Sequence, residues 1–503
     1  VKSDYRRFMV VCRDAGCAFK LNVFMKRDER FYITKDSEHT CCSFNPTIKK
    51  AWVLSKVVEL VKERPKVKVP ELTDFFRVTF GLDVHITTIR DTLSEARKCV
   101  GCPEKSFGLI ASFLDAFART NRGSTTSLVV VGNVFKRAFL CPRACVKAFQ
   151  HSTKVVALDG THIWASYGGV ILVLTILDGN GQAFPAALGI AEGENQETWT
   201  WFISLVRSAF HIEDGGDGLV VLSDREKGLD AAINELLPNA AHGYCVVHIE
   251  RNVLKRFKGV PKDLLWKAAK AASTTAFESV MAEMKAQHRG MGEYIEAIDE
   301  KWARAAFPMR RLGQVTSNIS ESMNAWLEEV RRLDPVRIFS SYIGKVNRMF
   351  MSRRKKYAAM GANDLPKKVA KLFGRTCDEG RGLRVIVHTE TVFDVQKKNT
   401  PSLYRTVDLQ RRVCTCGFDR EHGVPCRHMC AAIFKLREDP ADYIFPERLL
   451  PALKATNAGW IYPVELSVLP DNGVVPPTWT RKAGRPKQKR IPSAIEKKPR
   501  RAP

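Results

Sequence analysis

Residues 154–163 read KVVALDGTHI, a short apolar β-rich run that stops on Asp159 and Gly160. The pattern predicts a buried strand with a carboxylate at its end. Residues 218–229, GLVVLSDREKGL, repeat the arrangement with Asp224. A strand that ends this way places its carboxylate at the carboxyl edge of a sheet, where open α/β sheets hold ligands. Two more strand-like runs lie between them, GVILVLTILDGNGQ (169–182) and AFPAALGIAEGE (183–194). An amphipathic helix follows, NQETWTWFISLVRSAF (195–210). After Asp224 come a helix, GLDAAINELLP (228–238), and a further strand, HGYCVVHIE (242–250).

Three meandering strands followed by alternating helix and strand give the order of an α/β, ribonuclease H-like domain. A third carboxylate, Glu321, opens the helix TSNISESMNAWLEEV (316–330). Three carboxylates meeting at one edge make an all-oxygen site suited to Mg²⁺ or Mn²⁺. Two such ions stabilise both the attacking and the leaving oxygen of a phosphodiester displacement. Each residue also has a plainer reading. Asp in LDG or LSD forms turns through its own side chain, and Glu321 stands three residues after Asn318, the spacing of a capping box.

With these residues the chain resembles Mutator-like element transposases and the plant far-red-response regulators descended from them. The resemblance rests on Asp159, Asp224 and Glu321, on GYCVVHIERN (243–252), and on a Cys/His cluster at either end. It implies a DDE catalytic triad that holds two Mg²⁺ (or Mn²⁺) ions and cuts and rejoins double-stranded DNA at terminal inverted repeats. It further implies that Cys245 and His248 help hold DNA near the scissile phosphate, and that the enzyme works as a homodimer or higher multimer in the nucleus. The alternative is a domesticated, transposase-derived regulator that binds DNA without transposing it. A zinc-dependent RNA-binding factor is a third class, one that leaves the triad unexplained.

Composition agrees with a polyanion partner. Across 503 residues the net charge is +26 and the pI is near 9.6, while the 45% hydrophobic fraction is that of a globular protein. The longest apolar run, GGVILVLTILDG (168–179), falls well short of a membrane span. No signal segment is legible before position 30. The first residue is Val rather than Met, so a trimmed start is compatible with the sequence.

The fourteen cysteines are spaced for metal rather than for disulfides. In VCTCGFDREHGVPCRHMCAAIF (413–434), Cys414, Cys416, Cys426 and His428 form a closed four-ligand set. Such a set predicts a structural Zn²⁺, and the pattern resembles a SWIM-type finger. His422 and Cys430 are taken as bystanders. Near the start, Cys12, Cys17, His39 and Cys41 flank a hairpin-like stretch, with Cys42 an alternative to Cys41. This resembles the zinc-stapled β-fold of WRKY and glial-cells-missing domains, and brings the expectation to about two Zn²⁺ per chain. Lys20, Lys26, Arg27, Arg30 and Lys35 would contact phosphates there. Cys99, Cys102, Cys141 and Cys145 are read as structural or incidental.

The resulting domain plan begins with a zinc-stapled β domain over 1–48 and a helical, helix-turn-helix-like segment over 50–148 carrying Arg90, Arg97 and Lys98. The catalytic domain occupies 150–249 and 313–360, split by an all-helical insertion at 250–312. A SWIM region covers 380–450 and a basic tail 470–503. In that tail Gly484-Arg485-Pro486 resembles an AT-hook core, Arg485 being the minor-groove residue, and the same run reads equally as a nuclear-import signal.

Overall fold

The computed structural model describes residues 2–4, 7–11, 17–25, 31–35, 48–64, 67–99, 103–271, 273–307, 309, 311, 318–398 and 404–478. They fall into two compact units, Val1–Val100 and Gly101–Pro503.

The first unit opens with four antiparallel strands in sequence order, β1 (Lys2–Asp4), β2 (Arg7–Val11), β3 (Lys20–Met25) and β4 (Phe31–Lys35). Three helices follow, α1 (Lys50–Glu63), α2 (Val69–Phe80) and α3 (Ile86–Cys99). Val53, Val57 and Val61 of α1 close on Leu72, Phe76, Ile89 and Leu93. The turn after α2 needs Gly81, whose φ is +64°, so that its N–H and that of Leu82 reach back to the last carbonyls of the helix.

The second unit begins with α4 (Pro103–Gly108) and α5 (Ile110–Thr120), then a hairpin, β5 (Thr125–Val131) and β6 (Val134–Cys141), and α6 (Arg143–Gln150). The core strands are β7 (Val155–His162), β8 (Val170–Leu177) and β9 (Ala183–Ala191). After them come α7 (Gln196–Phe210), β10 (Val220–Ser223), α8 (Lys227–Leu236) and β11 (Ala241–Tyr244). They build one mixed seven-stranded sheet in the order β11-β10-β7-β8-β9-β6-β5. β7, β8, β9, β6 and β5 are antiparallel neighbours, whereas β10 lies parallel to both β7 and β11. Every residue of β8 is buried, as a central strand covered on both faces requires. Val156 and Leu158 of β7 pack with Ile203, Val206 and Phe210 of α7, and Val155 and Ala157 point to the other face, with Val220 and Leu222.

The expected 50–148 helical segment is therefore divided. Its last part belongs to the second unit, because β6 hydrogen-bonds to β9 and makes the hairpin part of the sheet. Cys141 and Cys145 lie in this core, fully buried.

A helical segment follows β11: α9 (Val246–Arg256), α10 (Lys262–Ala269), α11 (Thr274–Gln287) and α12 (Arg289–Glu296). It has its own apolar centre around Leu265, Met284, Met291, Ile295 and Trp302. α13 (Asn318–Leu327) then lies against β7, β8 and β9, and the long α14 (Pro335–Ala358) packs Phe339, Tyr342, Val346 and Phe350 inward.

The last elements are α15 (Lys367–Arg381), β12 (Leu383–Val387), β13 (Val392–Lys397), β14 (Tyr404–Asp408), β15 (Val413–Cys414), α16 (Phe418–His422), α17 (Arg427–Leu436) and α18 (Leu450–Thr456). β12 to β15 form an antiparallel sheet in sequence order. Beyond α18 an extended strap returns over the unit. It pairs Ile461 with Asn347, Tyr462 with Asn121, Asn472 with Gly108, and Val475 with Asn133 and Phe135.

Candidate active site and metal centres

β7 and β10 run parallel, with Val220 beside Val155 and Leu222 beside Ala157. Carrying that register forward two residues brings Asp224 level with Asp159. Asp159 shares the face of Val155 and Ala157, since side chains alternate along a strand, and Asp224 follows directly on the last residue of β10. Asp224 Oδ1 accepts the Glu226 N–H at 3.1 Å, so the turn-forming role of this aspartate is also in use. Glu321 lies in α13, the helix against β7; its side chain falls outside the described residues.

A further carboxylate comes to this edge unannounced. A Cβ built on Gly160 would stand 2.5 Å from Glu194 Oε1, so Glu194 rests against the backbone next to Asp159. Burial, and then the charges of Asp224 and Glu226, push its pKa up to about 7. Glu192, two residues earlier, is held by the Arg137 guanidinium, which also reaches Glu197. Glu194 follows β9, which runs in the same direction as β7 and ends at the same edge. Applying the strand-end rule to this third strand would have narrowed the choice to Glu192 and Glu194.

Cys245 and His248 begin α9. The Cys245 N–H donates to the Ser223 carbonyl at 2.9 Å, which fixes the helix start beside Asp224. Cys245 is 4% exposed, so its thiol meets protein; the half-buried His248 is the member of the pair nearer solvent. Arg225 donates to the Tyr294 hydroxyl of α12 at 3.0 Å, which ties the helical segment to the loop after β10. Carboxylates gathered at a sheet edge are a donor set suited to hard divalent cations.

The second centre is complete in outline. One ligand atom from each of Cys414, Cys416, Cys426 and His428 lies within 4.8 Å of the others. His428 Nδ1 stands 3.7 Å from Cys414 Sγ and 3.8 Å from Cys426 Sγ. Tetrahedral Zn–S and Zn–N bonds of roughly 2.3 and 2.0 Å require ligand separations of about this size. The loop between the pairs turns on Gly417 and Gly423, both at φ +66°, on either side of α16. Cys426 is the N-cap of α17, its sulfur accepting the Met429 N–H at 3.4 Å. The Cys414 and Cys426 sulfhydryls favour the thiolate of Cys416. Asp419 is fully buried beside Cys416, so a cation here would offset the charge of both. His422 and Cys430 stand outside the ligand group: the His422 ring lies tilted against Phe418, centroids 4.3 Å apart, and Cys430 faces Cys377 at 3.8 Å. Of the N-terminal cluster only Cys17 lies within the described residues; Cys12, His39 and Cys41 lie outside them, as do Cys102 and Arg485.

The span from β7 into α9, residues 155–252, matches the MULE transposase domain. The chain carries a Mutator-like transposase domain. Residues 405–437 match the SWIM zinc finger, which encloses the four-ligand group. Among similar proteins, the Transposase for insertion sequence element IS905 of Lactococcus lactis is 25% identical over 37% of this chain and 49% of its own length. Protein FAR1-RELATED SEQUENCE 6 of Arabidopsis thaliana is 22% identical over 31% of this chain and 22% of that protein. Protein FAR-RED IMPAIRED RESPONSE 1, from the same plant, is 28% identical over 22% and 13% respectively. The chain thus spans less than half the length of these curated relatives. The MULE domain starts at β7 and so takes in Asp159, Glu194 and Asp224. No described helix is long and apolar enough to cross a membrane.

Proposed function

We propose that this chain is a DNA transposase whose ribonuclease H-like MULE domain hydrolyses phosphodiester bonds and transfers strands, with Asp159, Asp224 and Glu321 as its metal-holding triad. The observation that supports the proposal is the parallel pairing of β7 with β10, a register that, carried past Leu222 and Ala157, would bring Asp224, just after β10, level with Asp159. The order β9-β8-β7-β10-β11, three antiparallel strands and then two parallel ones beside the first, supports the ribonuclease H-like reading. Mg²⁺ or Mn²⁺ bound there would stabilise charge on the attacking and leaving oxygens. The protein's own part is to hold that edge rigid. β7 is fixed by pairing on both sides, α9 is anchored at Ser223, and Tyr294 steadies Arg225. A nuclear protein that assembles as a dimer or higher multimer on two DNA ends fits this reading.

Asp159→Asn, Asp224→Asn and Glu321→Gln should each abolish Mg²⁺-dependent nicking of an element-end duplex while the duplex still binds. Near-normal nicking by any one of them removes that residue from the triad. The far-red-response relatives support a second reading, a DNA-binding regulator without cleavage. Wild-type protein that binds element ends and never nicks them would decide for it.

A further inference from the structure

α14 buries one face against the sheet and presents a different stripe along a cavity of about 430 Å³. Lys345, Arg348, Met349, Ser352, Arg353 and Lys356 line it at helical spacing, with Trp326 of α13 alongside and Gln182 of the β8–β9 turn. Four of these side chains are cations, and none of the described lining residues is a carboxylate. Two cations are structurally committed. Lys345 donates to the Trp326 carbonyl and stands 4.9 Å from that indole ring, while Arg353 donates to the Ala183 carbonyl at 2.6 Å. Yet Arg353 Nη1 is buried and has no hydrogen-bond partner, its nearest carboxylate being Asp178 at 3.8 Å. That nitrogen faces the fully buried Asp178 in the interior, so Arg348 and Lys356 are the exposed cations of the lining. Arg348, Ser352 and Lys356 are exposed.

We infer that this groove is a sequence-independent tract for the phosphate backbone of duplex DNA, separate from the carboxylate edge. The inference rests on the DNA reading above but not on catalysis. Lys345 to Lys356 spans roughly 16 Å of helix at 1.5 Å per residue. Because a strand winds away as it rises roughly 3.4 Å per phosphate, that straight length faces about two or three phosphates of one strand. A flat anionic membrane would not enter a groove walled by two helices and a turn, and a protein partner would have to present a comparably regular row of anions.

The test is binding of a random-sequence duplex in EDTA, followed against salt. Arg348→Ala with Lys356→Ala should lower the salt slope by about two units. It should weaken random and element-end duplexes by the same factor. Arg348→Lys with Lys356→Arg should keep the wild-type slope. The control Lys397→Ala with Lys398→Ala removes equal charge elsewhere and should change the slope little. An unchanged slope in the groove variant, or an equal fall in the control, overturns the proposal. Unchanged circular dichroism shows that the variants fold. Nicking in Mg²⁺ is scored separately: a wild type that never nicks but shows the groove effect sinks the catalytic reading alone. Binding by anionic vesicles that the groove variant loses, with duplex binding intact, would assign the groove to a membrane and overturn the DNA assignment.

Discussion

Glu192 and Glu194 differ by two positions, and their carboxylates meet opposite surroundings. Arg137 neutralises the first, while burial and the negative charges of Asp224 and Glu226 press on the second. The folded chain therefore holds the Glu194 proton more tightly than the unfolded chain does. Stability from this group is fully present below about pH 4.5 and is lost as the pH rises through about 7. Glu194→Gln should accordingly melt higher than wild type at pH 8, by on the order of 1–2 kcal/mol once residual exposure is allowed for, and show no such advantage at pH 4. Divalent cation at pH 8 should stabilise wild type more than the variant. Identical melting profiles for the two proteins would refute the burial account. Gly160→Ala should act in the same place, since its methyl would displace the Glu194 carboxyl; about 1–3 kcal/mol of overpacking is expected, read by denaturant unfolding. The placement of Asp159 and Asp224 at strand ends was legible because each closes an apolar run. Glu194 was not, since AEGE offers two glutamates and the residue that tells them apart, Arg137, sits on a strand more than fifty positions earlier.

Among the elements, β7 to β11 were readable from apolar runs broken by turns, and the SWIM cluster from ligand spacing alone. The hairpin β5–β6 was missed. Lys136 and Arg137 interrupt its apolar pattern, and Arg137 is buried at 5% side-chain exposure only because Glu192 and Glu197 meet it from elsewhere in the chain. The zinc centre has a consequence at this scale. α16 is a five-residue helix between two left-handed glycines, too short to hold itself without the ligands on either side. Cys414→Ser should reduce zinc content by about one ion per chain and expose 405–437 to protease, with the sheet of β5 to β11 still cooperative by hydrogen exchange. Full protection of that segment after chelation would show that packing, not metal, holds it. The segment after the finger is also pinned to the sheet: Arg448 donates to the carbonyls of both Gly179 and His422. Arg448→Ala should cost roughly 3 kcal/mol, because buried acceptors lose a charged donor; a loss under about 0.5 kcal/mol would mean that the bridge is incidental.

For the molecule as a whole, the excess of positive charge is shared between folded surface and tail. Removing 481–503 should flatten the salt dependence of non-specific binding, because it deletes a dense run of Lys and Arg. A lower melting temperature would reveal contacts made by the tail. Stopping the chain after 458 should be far more damaging, since it removes the strap that joins α4, α5, the β5–β6 hairpin and α14. The strap also imposes an order on biosynthesis. α5 leaves the ribosome more than three hundred residues before Pro470, whose carbonyl accepts from Ser112. A nascent chain must therefore carry the hairpin edge and the ends of α4 and α5 uncovered through most of translation. The strap, in the last tenth of the polypeptide, acts as a fastener, and a prematurely terminated copy would be a substrate for chaperones and proteases before it could ever compete for DNA.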